Sequence, residues 1–168
     1  MNWKRLRCGL CIAWLIPLAP VEAEPTLEQT ELVIMSADSA WEEPGVRGIY
    51  FDGNFKLQGS DWAMEAGSAF VSGALEDPDS IVAHGNPARI TFETGIAGSH
   101  QRVEGEAESV EYIRQTEMLY LSKSARVLSG TDVMYGGKIQ YDRNADRFTA
   151  SGNSGPDGAG RVRFELNK

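Results

Sequence analysis

Cysteine is nearly absent from this chain: Cys8 and Cys11 are the only two, and both lie close to the amino terminus. Residues 12–168 therefore have no disulfide framework and no thiolate nucleophile. Histidine is as scarce, with only His84 and His100, so a zinc-type site has little to draw on. There is no Gly-x-Ser-x-Gly elbow, phosphate loop or dinucleotide fingerprint. Positive charge is in the minority, at 16 Lys and Arg against 24 Asp and Glu, for a formal net charge of −8. That balance argues against nucleic acid and against an electrostatic membrane-surface partner. The one extended apolar run, 8–18, falls short of the roughly 20 residues that span a bilayer.

That run belongs to a targeting pattern. Lys4, Arg5 and Arg7 precede it, and Val21-Glu22-Ala23 ends in a small-residue cleavage site. Residues 1–23 are expected to be a signal peptide, leaving 24–168 as a single domain with one core. Without the leader the chain is more acidic still and free of thiols, which suits a periplasmic protein that folds without disulfides. An uncleaved membrane anchor is the alternative.

What the chain does have is alternation. Across 103–153 apolar and polar residues succeed one another at a period of two, the signature of strands with one buried face. Leu119, Leu121, Ala125, Val127, Val133, Tyr135, Ile139 and Tyr141 read as one face, and Ser122, Ser124, Arg126, Lys138, Gln140 and Asp142 as the other. Gly105, Ser129-Gly130, Gly136-Gly137 and Arg143-Asn144 punctuate the run, giving antiparallel strands joined by tight turns. No helix of useful length fits. Upstream, 32–37 reads as a first strand and 41–48 as a turn. Residues 48–57, GIYFDGNFKL, read as a hairpin about Asp52-Gly53-Asn54. The polar segment around Pro78 and the stretch 94–102 read as loops, with a strand interrupted at Gly85-Asn86-Pro87 between them. Near the end, 153–160 is a flexible connector, and 161–166 a last strand with Val162, Phe164 and Leu166 on one side.

Two halves of the chain match at an offset of about 70 residues: Ala37-Asp38-Ser39-Ala40 with Ala107-Glu108-Ser109-Val110, and Phe55-Lys56-Leu57 with Ala125-Arg126-Val127. A repeated strand-turn unit and chance similarity between two meanders both account for this. Glu104, Glu106, Glu108 and Glu111 are better read as a solvated strand face than as an acid/base pair. The aromatic residues, Tyr50, Phe70, Tyr120, Tyr135 and Phe164 among them, read by default as sandwich core.

Several ordered segments resemble the LptA/OstA-like family of periplasmic lipopolysaccharide-transport proteins. They are VIMSADSA, DGNFKLQGSDWAMEAGSAFV, Gly85-Asn86-Pro87-Ala88, Val103-Glu104-Gly105-Glu106-Ala107, Tyr112, 119–121, Ala125 and Ile139-Gln140-Tyr141-Asp142. The resemblance implies an all-β fold, an elongated, slightly open antiparallel β-jellyroll whose two sheets form a V. It further implies a carrier, not an enzyme, that shields lipid A acyl chains in an apolar groove and needs no cofactor or metal. The implied partners are lipopolysaccharide, the inner-membrane LptC with its transporter complex, the outer-membrane LptD, and further copies of the chain joined edge to edge. Inward parity and the match to the family's interior positions single out Met35, Phe55, Leu57, Ile90, Phe92, Tyr112, Leu119, Leu121, Val127, Ile139 and Tyr141 as lining residues. Ile34 is the alternative to Met35. A membrane-anchored LptC-like component and a jellyroll carbohydrate-binding module are the competing readings. The first predicts an intact amino terminus on the exported protein, the second a polar or metal-bearing concavity.

Overall fold

The computed structural model describes residues 33–75, 77–96, 99–152 and 160–166. The expected leader and nearly all of the expected connector lie outside the described residues. Strands β1 (Ile34–Ser36) and β2 (Ser39–Glu42) both pair with β3 (Gly48–Gln58). Then β4 (Trp62–Ala74), β5 (Asp77–Ile96), β6 (Ser99–Ile113), β7 (Met118–Ser129) and β8 (Asp132–Asp142) follow as an antiparallel meander. Two short strands, β9 (Arg147–Ser151) and β10 (Arg163–Glu165), close the far side by pairing with β8. The helical element among the described residues is a single 3-10 turn, Arg114–Thr116.

The sheet does not stay flat, and the reason is local. Pairing register breaks between Asp52 and Phe55, Glu65 and Ser68, His84 and Ala88, Glu106 and Ser109, and Ser122 and Ala125. Asp52, Ser68, His84, Ser109 and Ser122 are successive cross-strand neighbours, so the breaks form one line across the sheet. Gly53, Asn54, Lys123 and Ser124 sit on that line at φ of 77°, 51°, 66° and 54°, the left-handed conformation that bends a strand at a bulge. At Gly85 a Cβ would come within 2.7 Å of the Ala88 nitrogen, which leaves no room there for a side chain.

Each long strand therefore folds back on itself at the line, and one sheet becomes two facing layers. One layer holds β1, β10 and the half-strands 55–58, 62–65, 88–96, 99–106, 125–129 and 132–136. The other holds β2, β9 and 48–52, 68–74, 77–84, 109–113, 118–122 and 138–142. Contacts through the interior confirm the facing. Trp62 meets Tyr112 with ring centroids 5.6 Å apart, and Phe92 meets Tyr141 at 4.8 Å, although neither pair shares a strand ladder. Ala69, Ala83, Ala88, Ala107 and Ala125 are buried beside the fold line, while Trp62, Phe92, Tyr112 and Tyr141 fill the space farther out. Phe51 and Phe55 also flank the line, with ring centroids 5.3 Å apart, and the two facing layers of the bent sheet make the open antiparallel β-jellyroll that the sequence resemblance implies.

Several expectations about the chain need correction. The 48–57 segment is one continuous strand with a bulge at Gly53-Asn54, not a hairpin. The expected 41–48 turn begins later, since Trp41 and Glu42 are the last residues of strand β2, and most of 94–102, expected as a loop, lies in β5 and β6. Gly105 and Gly136 lie inside strands, where period-two reading takes them as turns. Val133 and Tyr135 do not share a face with Val127: Met134 pairs with Val127 and Gly136 with Ala125, so parity reverses before Ile139. Tyr135 instead carries Arg163 over its ring at 4.3 Å. Phe164 and Leu166 are exposed rather than buried.

The outer surface also holds aromatics that composition assigns to the core. Trp41, Tyr50, Phe70 and Val82 are cross-strand neighbours in one row, with Trp41 stacked on Tyr50 at 5.6 Å and the Tyr50 and Phe70 rings tilted against each other at 4.5 Å. On the other layer's outer face Glu106 receives Arg89 at 2.9 Å and Arg126 at 3.5 Å. Such pairs stand in water and add little to stability. The segments matched at the 70-residue offset occupy equivalent places: Phe55 and Ala125 each follow a pair of left-handed residues on the fold line.

Candidate functional site

The interior between the layers is the candidate site, and all eleven expected lining residues face it. Phe55, Leu57, Ile90, Phe92, Tyr112, Leu119, Leu121, Val127, Ile139 and Tyr141 belong to the buried core, and Met35 packs against it from β1 while Ile34 is exposed. Period-two parity misses Met64, Val71, Ile81, Ala83, Val103 and Val110, which are also buried there. Each alternates correctly within its own half-strand, but the bulge reverses parity between halves and hides the match. The layers meet closely near the crease: a Cβ on Gly105 would approach Leu121 Cδ2 to 2.7 Å and Ile90 Cγ2 to 3.0 Å. Glycine is what lets the two faces approach at that point.

Away from the crease the free ends of the layers face each other along a seam. The β3–β4 turn brings Asp61 and Trp62 from one layer. From the other, the 3-10 turn and the β8–β9 turn bring Tyr112, Glu117 and Arg143. Arg143 Nη2 donates to Asp61 Oδ2 at 3.2 Å, and its Nη1 lies 3.6 Å from Glu117 Oε2. Polar groups thus ring the seam while the rings behind them stay apolar. Tyr112 donates its hydroxyl to Glu117 Oε2 at 3.0 Å, and Tyr141 to Asp146 Oδ1 at 2.7 Å. Each phenol presents a polar tip to the rim and an apolar body to the interior.

Both phenols are held protonated. Burial raises the Tyr112 pKa, with the Glu117 hydrogen bond adding to it, and burial followed by the Asp146 bond pushes Tyr141 well above the ordinary tyrosine range. A folded-state pKa above the unfolded one gives stability that is complete below the unfolded value of about 10 and is lost as pH rises toward the folded value. Urea denaturation is therefore expected to give a lower midpoint at pH 11 than at pH 9. Tyr141→Phe should flatten that dependence; an unchanged slope would mean that Tyr141 is not the responsible group.

A family model described as LptA/(LptD N-terminal domain) LPS transport protein matches residues 36–147. The chain belongs to this family. The matched span runs from the end of β1 to the start of β9, so the family's LPS-transport domain takes in the fold line, the inner face and the seam. Among solved structures, the crystal structure of LptH from Pseudomonas aeruginosa superposes with a TM-score of 0.70 at 14% sequence identity. The alignment covers 82% of this chain and 96% of that one. LptH is the LptA homologous periplasmic component of the conserved lipopolysaccharide transport device of that organism. At that identity the likeness shows the fold. No curated protein sequence matches the chain. Within the LPS-transport family the seam residues Asp61, Glu117 and Arg143 escape sequence reading altogether, because nothing local links positions 82 residues apart.

Proposed function

We propose that this chain is a periplasmic carrier of lipopolysaccharide. It shields the lipid A acyl chains between its two layers while the sugars remain in water, on the way from inner to outer membrane, and catalyses no reaction. The observation that carries this reading is the inner face itself: one apolar surface continuous from β1 to β9, with its polar atoms confined to the rim. Membership of an LPS-transport family and a fold shared with a periplasmic component of that system support it. Burying acyl surface at about 25 cal/mol per Å² gives affinity without any reactive group. The same fold leaves strand edges at β1–β2 and β9–β10. Through these the chain docks LptC and its transporter complex, LptD and further copies of itself.

Photo-crosslinking tests the groove. A photoreactive residue in place of Leu121 or Tyr112, both facing inward, is expected to capture lipopolysaccharide in cells. In place of Ser122 or Gln140, on the outer face, it is expected to capture little or none. Equal labelling at inner and outer positions would remove the interior as the binding site.

A further inference from the structure

We infer that acyl chains enter sideways through the seam, and that the Asp61–Arg143–Glu117 clasp is its latch. This rests on the carrier reading and specifies the entry route to the same interior. Among the described residues the long strands pass from one layer to the other at the fold line, so their free ends can part by hinging there without breaking a single ladder hydrogen bond. Left-handed residues at Gly53, Asn54, Lys123 and Ser124 already concentrate the bend at that line. At the opposite side the closure is made by side chains. Trp62 lies against Tyr112, Phe92 against Tyr141, and Arg143 reaches across to Asp61.

The two halves of the latch are each anchored to their own layer. The Arg143 amide donates to the Glu117 carbonyl at 3.0 Å, which fixes the arginine to the 3-10 turn. On the other side the Glu93 amide donates to the Asp61 carbonyl at 3.2 Å, and Gly59 to Trp62 at 2.8 Å. What spans the gap is a guanidinium and a carboxylate with side chains 35% and 43% exposed. An ion pair so placed is weak and reversible in water. It suits a closure that must open and shut, whereas the buried rings behind it define what passes: flexible apolar chains whose headgroup stays at the charged rim. Loading from the sheet edges, along the interior, is the competing route.

The test is a seam that can be locked. In a background with Cys8→Ser and Cys11→Ser, Asp61→Cys and Arg143→Cys are introduced and joined by a bismaleimide linker containing a reducible disulfide. Uptake of purified lipopolysaccharide by the full chain is then followed by quenching of Trp62 fluorescence, with Trp3→Phe, Trp14→Phe and Trp41→Phe to isolate that signal. Circular dichroism verifies that each form is folded. The linked protein is expected to load at least ten-fold more slowly than the unlinked chain and to recover when the linker is reduced. Asp61→Asn, which only weakens the latch, should load about two- to five-fold faster than wild type, and added salt should shrink that difference. Linked protein that loads at the unlinked rate would overturn seam entry in favour of the edges while leaving the carrier reading intact. Wild-type chain that takes up no lipopolysaccharide would overturn both.

Discussion

Leu121→Asp is expected to unfold the domain. Leu121 has no exposed surface and points from β7 across the interior at Gly105, with Ile139 and Val110 beside it on paired strands. A carboxylate placed there meets no donor. The choice is between burying an unpaired charge, protonating it, or parting the layers, and each costs several kcal/mol, roughly 3 to 5 or more. Against a typical domain stability of about 5 to 15 kcal/mol, that is a large share of what holds the domain together. Leu121→Ala, which leaves a cavity but no charge, should cost about 2 to 5 kcal/mol and keep a cooperative transition. Thermal melts followed by circular dichroism separate the two. An Asp variant melting at the wild-type temperature would show that Leu121 does not face the interior.

Much of this arrangement was legible in the sequence, and the part that was not has a definite cause. Alternation identified the strands and their inward residues over 119–127 and 139–141, because within a half-strand the period of two holds. It failed at the fold line. There an inserted residue flips the pattern, so Met64 and Ala69 face the same way although their numbers differ in parity, and Val133 falls on the opposite face from Ile139. Gly53-Asn54 has the chemistry of a hairpin turn and also of a left-handed bulge pair. Only long-range pairing with both β2 and β4 decides between them.

The candidate site shows the same division. The lining residues follow from inward parity combined with family resemblance, since interior position is a property of each strand taken singly. The seam is a property of the closed fold. Asp61 and Arg143 read as ordinary turn residues until the fold line brings their turns together. The row Trp41–Tyr50–Phe70 was misread for a related reason: aromatic residues are core by default, and that default ignores an outer face on which they can stack with one another.

Ser39→Pro is expected to abolish edge-to-edge assembly while leaving the domain folded. The Asp38 amide donates to the Gly53 carbonyl at 2.8 Å, so Asp38 and Gly53 form a hydrogen-bonded pair. By antiparallel alternation Ala40 and Glu42 then bond to β3, and Ser39 and Trp41 turn their N–H and C=O groups toward the open edge. Proline at 39 therefore removes an outward donor and no ladder bond. The cost to the fold is chiefly the 3.3 Å hydroxyl contact of Ser39 to the Asp52 carbonyl, about 0.5 to 1.5 kcal/mol.

The partner edge follows from direction and charge. Along the meander β9 runs opposite to β2, and both belong to one layer, as β1 and β10 belong to the other. Copies in a common orientation therefore extend both layers, and with them the interior, when β9 of one meets β2 of the next. Asp38, Glu42 and Glu43 lie at or beside β2, and Arg147, Arg161 and Arg163 at or beside β9 and β10. A symmetric β2-to-β2 pairing would set acid against acid, so the proposed assembly is expected to join unlike edges and to propagate instead of closing as a dimer. Light scattering over a dilution series should show wild-type mass rising with concentration and falling with added salt. Ser39→Pro should stay monomeric at ten times the concentration at which wild type assembles, and Arg147→Glu should weaken assembly in a way that Glu43→Arg on the neighbouring copy partly restores. Undiminished assembly of the proline variant would place the contact somewhere other than β2.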